Sequence, residues 1–126
     1  MTFWEIVMFK KLSIVLALLI FSGPAWGEQP TIKQFLEEYD SASQTLKQRI
    51  HDMFRASQSG MHWSNAFQKK LGGKELYCKP IFLKITGEQA FQIFRDNVEM
   101  RKKTNQPAHN TGMYLLNGLM KTFPCL

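Results

Sequence analysis

The sequence predicts an all-α fold: a small four-to-five-helix domain stapled by one disulfide and preceded by a signal peptide. Apolar residues recur at threes and fours through most of the chain beyond residue 30, the period of an amphipathic helix. A short apolar run behind Lys10-Lys11 opens the chain and marks it for export. The two cysteines, Cys78 and Cys125, most simply pair with each other in an exported domain.

The apolar run extends from Leu12 to Phe21 and is followed by Ser22-Gly23-Pro24 and Ala25-Trp26-Gly27. Basic flank, short apolar stretch, helix breaker and small residues two apart are the parts of a secretory leader. A membrane span needs about 20 apolar residues, so this run is too short to be one. Ala25 and Gly27 predict cleavage before Glu28. The chain then divides into residues 1–27, removed on export, and residues 28–126, a single helical domain in the periplasm. Met8-Phe9-Lys10-Lys11 is a more usual leader start than Met1 to Glu5, which leaves the start codon open between Met1 and Met8.

A domain this small buries a modest core and often needs a staple. By chain entropy, closing the loop from Cys78 to Cys125 contributes about 4 kcal/mol. The whole chain carries a net charge of +6; from residue 28 onward, 14 Lys plus Arg stand against 9 Asp plus Glu. These cations are spread out and do not alternate with aromatics, a pattern that does not suit nucleic acid. An acidic protein or an anionic envelope surface suits it as well as a plain solubilising surface does.

Thr31 is placed to cap a first helix, with Phe35, Leu36 and Tyr39 on one side. Asp40-Ser41-Ala42-Ser43 has turn and cap chemistry and should break that helix. From Ser43 to about Leu71 the pattern is helical again. Leu46, Ile50, Met53, Phe54, Met61, Phe67 and Leu71 form its apolar set, with Ser57 at a small position on that face. Gly60 in mid-helix costs about 1 kcal/mol relative to alanine and is expected to kink the helix or admit a neighbouring backbone. Gly72-Gly73 ends the helix. Lys74 to Lys84 reads as extended or irregular, since Pro80 disfavours helix at Lys79. Within it, Ile81 to Ile85 is a connection expected to bury Phe82 or Leu83. Thr86 with Gln89 has the spacing of a capping box for the next helix, which carries Ala90, Phe91, Phe94 and Val98 and ends with Arg101-Lys102-Lys103 in its last turn. Thr104 to Asn110 is a loop. A last helix runs from about Thr111 to Thr122 with Tyr114, Leu115, Leu116, Leu119, Met120 and Phe123 apolar, and Pro124 stops it.

Catalytic chemistry finds little footing. The three histidines, His51, His62 and His109, have no metal-ligand spacing to one another, and Cys78 and Cys125 alone supply too few ligands for a metal. No serine sits in a nucleophile elbow, and a bridged Cys78 cannot attack. The residues therefore predict no catalytic group, no metal and no cofactor. In Gly60-Met61-His62-Trp63-Ser64-Asn65, Trp63 is expected in the core with its indole N–H partnered, and Asn65 bonded to the chain around Tyr77; contact with a ligand or partner is the alternative. The polar loop from Lys103 to Asn110 reads equally as a recognition element or as a connector.

Gly60-x-x-Trp63-x-Asn65 on a long helix, then Leu76-Tyr77-Cys78-x-Pro80, and a terminal Phe123-Pro124-Cys125 together resemble the Tai/Rap family of immunity proteins. The resemblance spans most of the chain after the leader, and Tyr-Cys-x-Pro and Phe-Pro-Cys are its sharpest parts. It implies a small helical domain with a Cys78–Cys125 bridge, often a homodimer, and an inhibitor in place of an enzyme. The implied partner is a cysteine peptidoglycan amidase delivered by type VI secretion, whose substrate groove such proteins plug. The family's partner contacts lie outside the shared motifs, so none is carried over. From the residues alone, the contact surface is placed at Arg101, Lys102, Lys103, Asn105, Gln106, His109 and Asn110, where a polar loop meets a basic helix end and charge would steer an acidic partner. Two other readings remain: a periplasmic acid-stress chaperone resembling HdeA, and an envelope interaction protein unrelated to toxins. The excess of bases over acids weakens the chaperone reading, because acid loosening works through carboxylates.

Overall fold

The computed structural model describes residues 29–126; the expected leader and its cleavage point lie outside them. Within these residues the chain forms four α-helices and no strand: α1 (Ile32–Asp40), α2 (Gln44–Lys70), α3 (Gly87–Met100) and α4 (Thr111–Thr122), with a 3₁₀ turn over Ala108–Asn110. None is long and apolar enough to cross a membrane. The helical fold class and the break between α1 and α2 follow the sequence pattern.

The caps explain the boundaries. All four orphan N–H groups at the start of α1 find acceptors. Thr31 N–H donates to Gln34 Oε1 and Gln34 N–H to Thr31 Oγ1, a capping box. Ile32 and Lys33 N–H donate to the carbonyls of Gln106 and Thr104, at 2.8 and 2.7 Å. Ser43 caps α2, and the expected box of Thr86 with Gln89 caps α3. Helix α2 closes with Gly72 at φ 85° and Gly73 N–H bonded to Gln68 O, a Schellman motif that the glycine pair foreshadowed.

The end of α3 differs from expectation. Arg101-Lys102-Lys103 does not form its last turn. The helix stops at Met100, and Lys102 takes the left-handed position of a second Schellman motif at φ 54°. Lys102 N–H bonds to Glu99 O and Lys103 N–H to Val98 O, satisfying carbonyls that the helix leaves open.

Helix α3 is the centre of the domain and packs against both α2 and α4. Phe91 and Phe94 sit among Phe54 of α2 and Phe35 of α1, and Tyr39 stacks on Phe91 at 4.0 Å between ring centres. Each fully buried ring of this kind contributes about 1.5–3 kcal/mol by leaving water. Two glycines set the helix spacings. A Cβ on Gly87 would lie 2.1 Å from His51 O, and one on Gly118 would lie 2.7 Å from Ile93 Cγ2. Beside Gly118, buried Asn97 donates to Tyr114 O at 2.9 Å and ties α3 to α4. At the far end of α1, Arg95 makes a two-pronged bond to Asp40, at 2.7 and 2.8 Å, and a third to Glu99.

Several apolar residues of α2 are not where the pattern put them. Ile50, Phe54 and Met61 face the core, but Leu46, Met53, Phe67 and Leu71 are exposed, and so is Ser57. Trp63 is 69 % exposed and is no core residue. The reason is geometric: Asn65 lies two residues on, about 200° around the helix, and its buried bonds turn that face inward and Trp63 outward. Gly60 does not interrupt α2, which is continuous, and it admits no neighbour, since nothing lies within 4 Å of where its Cβ would be.

Candidate partner-binding surface

Between α2 and α3 the chain from Lys74 to Ile85 crosses without regular structure, and four attachments hold it. Cys78 and Cys125 are bonded, with Cα atoms 4.9 Å apart. Cys78 N–H donates to Phe123 O at 2.8 Å, fixing the same junction by backbone. Asn65 clamps the segment from α2: its Nδ2 donates to Tyr77 O at 2.7 Å, and its Oδ1 accepts from Leu76 N–H at 2.6 Å. This is the bond the sequence placed between Asn65 and the chain around Tyr77. Tyr77 and Ile85 are buried and anchor the two ends.

The Tyr77 ring is buried in the core, with its hydroxyl sealed from water. Burial pushes its pKa up. Gln58 stands close enough to oppose that rise, yet no hydrogen bond of acceptable geometry forms to the hydroxyl. Glu75 Oε2 lies 3.1 Å from Cys78 Sγ; this is a contact and not a hydrogen bond, because a bridged sulfur carries no hydrogen. Glu75 and the two sulfurs are close enough together to suggest a metal trio, but a disulfide offers no thiolate to ligate one.

From this fixed base, Pro80 to Leu83 projects as a turn. Leu83 N–H bonds to Pro80 O at 3.1 Å, and the Lys79 ammonium reaches back to Leu83 O. The expectation that Phe82 or Leu83 would be buried is overturned. Ile81 is 88 % and Phe82 96 % exposed, and Leu83 is exposed too. The turn closes on itself and points its tip outward, and Ile85 takes the buried place. Behind the turn, against α2, lies an open groove of about 670 Å³. Its charged walls are Arg55, Lys79 and Lys84 against Asp52 and Glu88, with His51 and His62 beside them. His51 is held by Tyr39, whose hydroxyl lies 2.6 Å from its Nε2. Burial raises the Tyr39 pKa, and Glu88 adds to the rise.

The residues the sequence placed at a partner surface lie elsewhere, at the opposite end of α3, about 20 Å away along that 14-residue helix. Arg101, Lys102, Lys103, Asn105 and His109 are exposed, whereas Gln106 and Asn110 are half-buried. The loop does not project freely. Backbone bonds join Thr104 and Gln106 to α1, Ala108 N–H donates to Pro30 O, and His109 Nδ1 meets Gln29 Oε1 at 2.7 Å. Ile81 and Phe82 are the surface residues that sequence reading missed. A signal was present: an apolar pair behind Pro80, with Lys79 and Lys84 on either side and no second strand to cover it.

No family model, curated protein or solved structure matches the chain.

Proposed function

We propose that this is an exported binding protein of the inhibitor type, which blocks a peptidoglycan amidase delivered by type VI secretion by seating the Pro80–Leu83 turn in the enzyme's groove. The observation that carries the reading is the turn itself: two nearly naked apolar side chains on a base immobilised by a disulfide and the Asn65 clamp. Such a base keeps the ordering cost of binding low, and large apolar side chains at a projecting tip are what a concave partner buries. Arg55, Lys79 and Lys84 behind the turn would steer an acidic rim. The amidase comes from the resemblance in Tyr77-Cys78-x-Pro80 and Phe123-Pro124-Cys125; the turn supports a binding role without naming the partner. The Arg101–Asn110 loop remains a second contact in this reading.

The test is capture. The processed protein, with its bridge intact, is mixed with lysates of bacteria producing type VI effectors, and what it retains is identified by mass spectrometry. A stoichiometric cysteine amidase, inhibited on binding, supports the proposal. Phe82→Ala should weaken that complex by about 30-fold or more, the loss typical of a central interface residue, with no change in melting temperature. Retention of many unrelated proteins in acid only would move the reading to a chaperone. An amidase bound equally well by Phe82→Ala would remove the turn from the interface.

A further inference from the structure

Helix α2 presents a second apolar face, on the side away from the core. Leu46, Met53, Trp63, Phe67 and Leu71 fall within about 100° of one another around the helix and make a stripe roughly 40 Å long. Leu46 is 45 %, Met53 67 %, Trp63 69 %, Phe67 60 % and Leu71 73 % exposed. The charge of the helix is lopsided. Five Lys or Arg stand against one acid, Asp52, and the Asp52 carboxylate accepts from Gln48 Nε2 at 3.1 Å. From residue 53 to residue 74 the chain holds no Asp or Glu, so nothing along the Trp63–Leu71 half of the stripe repels an anion. Arg49 lies in line with the stripe and Lys70 borders it on the Trp63 side, both exposed.

We infer that this face seats the protein on an anionic lipid surface, with α2 lying along the plane of the bilayer. Such a surface takes up a helix with large apolar side chains on one side and long cationic side chains at the border. Trp63 joins an apolar ring to a polar N–H, which suits the boundary between acyl chains and headgroups. Lys70 and Arg49 lay their methylene stems along the same boundary and hold their charges among anionic headgroups. Charge and shape favour lipid over a protein cleft. The stripe runs the length of a continuous helix and has only Ala56 and Gly60 at its middle, so it makes a long shallow contact and leaves the centre without the anchor that a protein pocket fills. The other side of α2 stays in the core through Phe54 and Asn65, so the helix lies down without opening the domain. The Pro80–Leu83 turn stands on a different flank, beside Arg55 and His62, and the inference does not depend on the inhibitor reading.

The experiment is vesicle co-sedimentation of the full chain, expressed with its own N-terminus and purified as the cell processes it. Mixed phosphatidylglycerol–phosphatidylcholine vesicles are compared with phosphatidylcholine alone. The protein is expected to bind the anionic vesicles, to release in about 0.5 M salt, and to bind phosphatidylcholine at least about 10-fold more weakly. Phe67→Glu removes an exposed ring and adds a repelling charge, and should weaken binding by at least about 10-fold with the helical circular dichroism unchanged. Phe82→Ala, on the turn, should bind vesicles as wild type does. Lipids brominated on their acyl chains should quench the fluorescence of Trp63, the only tryptophan after residue 27. Equal binding to both kinds of vesicle overturns the inference, as does binding that survives Phe67→Glu or is lost in Phe82→Ala. No binding to either overturns it too, and returns the stripe to a protein partner.

Discussion

Asn65 is the residue on which the attachment of the Lys74–Ile85 segment turns, and Asn65→Ala puts a number on it. The side chain is buried and makes two short bonds, to Tyr77 O and from Leu76 N–H. Alanine leaves Tyr77 O unpartnered in a buried place and Leu76 N–H in a half-buried one, at up to about 1–3 kcal/mol each. The expected loss is therefore about 2–6 kcal/mol, out of the roughly 5–15 kcal/mol that holds a domain together. For a domain of this size, about 4–8 °C of melting temperature goes with each kcal/mol, so the melt should fall by at least about 8 °C. Urea denaturation with the disulfide intact measures the loss directly. Asn65→Asp sharpens the test through pH. The aspartate keeps an oxygen for Leu76 N–H but turns the other against Tyr77 O, where only the protonated form can donate. Burial and that carbonyl raise the native pKa above the unfolded value of about 3.9. The folded state then holds its proton to higher pH than the unfolded chain does. Asn65→Asp should thus be close to wild type below about pH 4, and should lose stability as pH rises towards the native pKa. A loss under about 1 kcal/mol in Asn65→Ala, or a pH-independent deficit in Asn65→Asp, would refute the clamp.

Lys102→Gly relieves a left-handed lysine and should stabilise the domain by about 1 kcal/mol, read from a urea midpoint. Gly87→Ala drives a methyl into the His51 carbonyl and should cost about 3 kcal/mol or more, with loss of near-ultraviolet ellipticity if α2 and α3 part. The hydrogen bonds from Arg95 hold the Asp40 carboxyl below its usual pKa. That interaction stabilises the fold above the unfolded carboxylate pKa and fades as pH falls through the lower, native one. Asp40→Asn should therefore flatten the acid side of a melting-temperature profile. Reducing the Cys78–Cys125 bridge should cost about 4 kcal/mol by chain entropy, measured as a denaturation midpoint with and without reductant.

Local chemistry was legible in the sequence where one residue type answers one need. Thr31 and Thr86 sit at N-caps because a hydroxyl there accepts from the third residue on, and Gly72 sits past α2 because φ is positive. The end of α3 was not legible, because lysine is a poor residue for the left-handed position and only the two closing bonds of the motif reveal it there. Gly87 and Gly118 also escaped notice. A glycine that lets two helices touch looks, in one sequence, like any other glycine, and its reason lies in His51 or Ile93 on a different helix. The Arg101–Asn110 loop looked free for the same reason: its partners at Pro30, Ile32 and Lys33 are some 70 residues away in the chain.

The apolar set of α2 shows most clearly where periodicity stops being informative. A 3.6-residue repeat says that apolar residues share a face, and says nothing about what covers it. Helix α2 carries two such faces. Ile50, Phe54 and Met61 follow the core, whereas Met53, Trp63 and Phe67 follow a line roughly opposite, and the spacing within each is equally helical. What separates them is polar. Gln58 and Asn65 are buried on the first face, and Asn65 is there because Tyr77 O and Leu76 N–H need it. A single buried asparagine thus orients the helix and commits Trp63 to solvent. If so, Asn65→Leu should do more than destabilise. With no bond to make and apolar residues on both sides, α2 would lose its reason to present one face over the other. The fluorescence of Trp63 should then shift towards the blue as the indole leaves water. An unshifted spectrum in a folded Asn65→Leu protein would mean that the phenylalanine cluster alone sets the rotation of the helix.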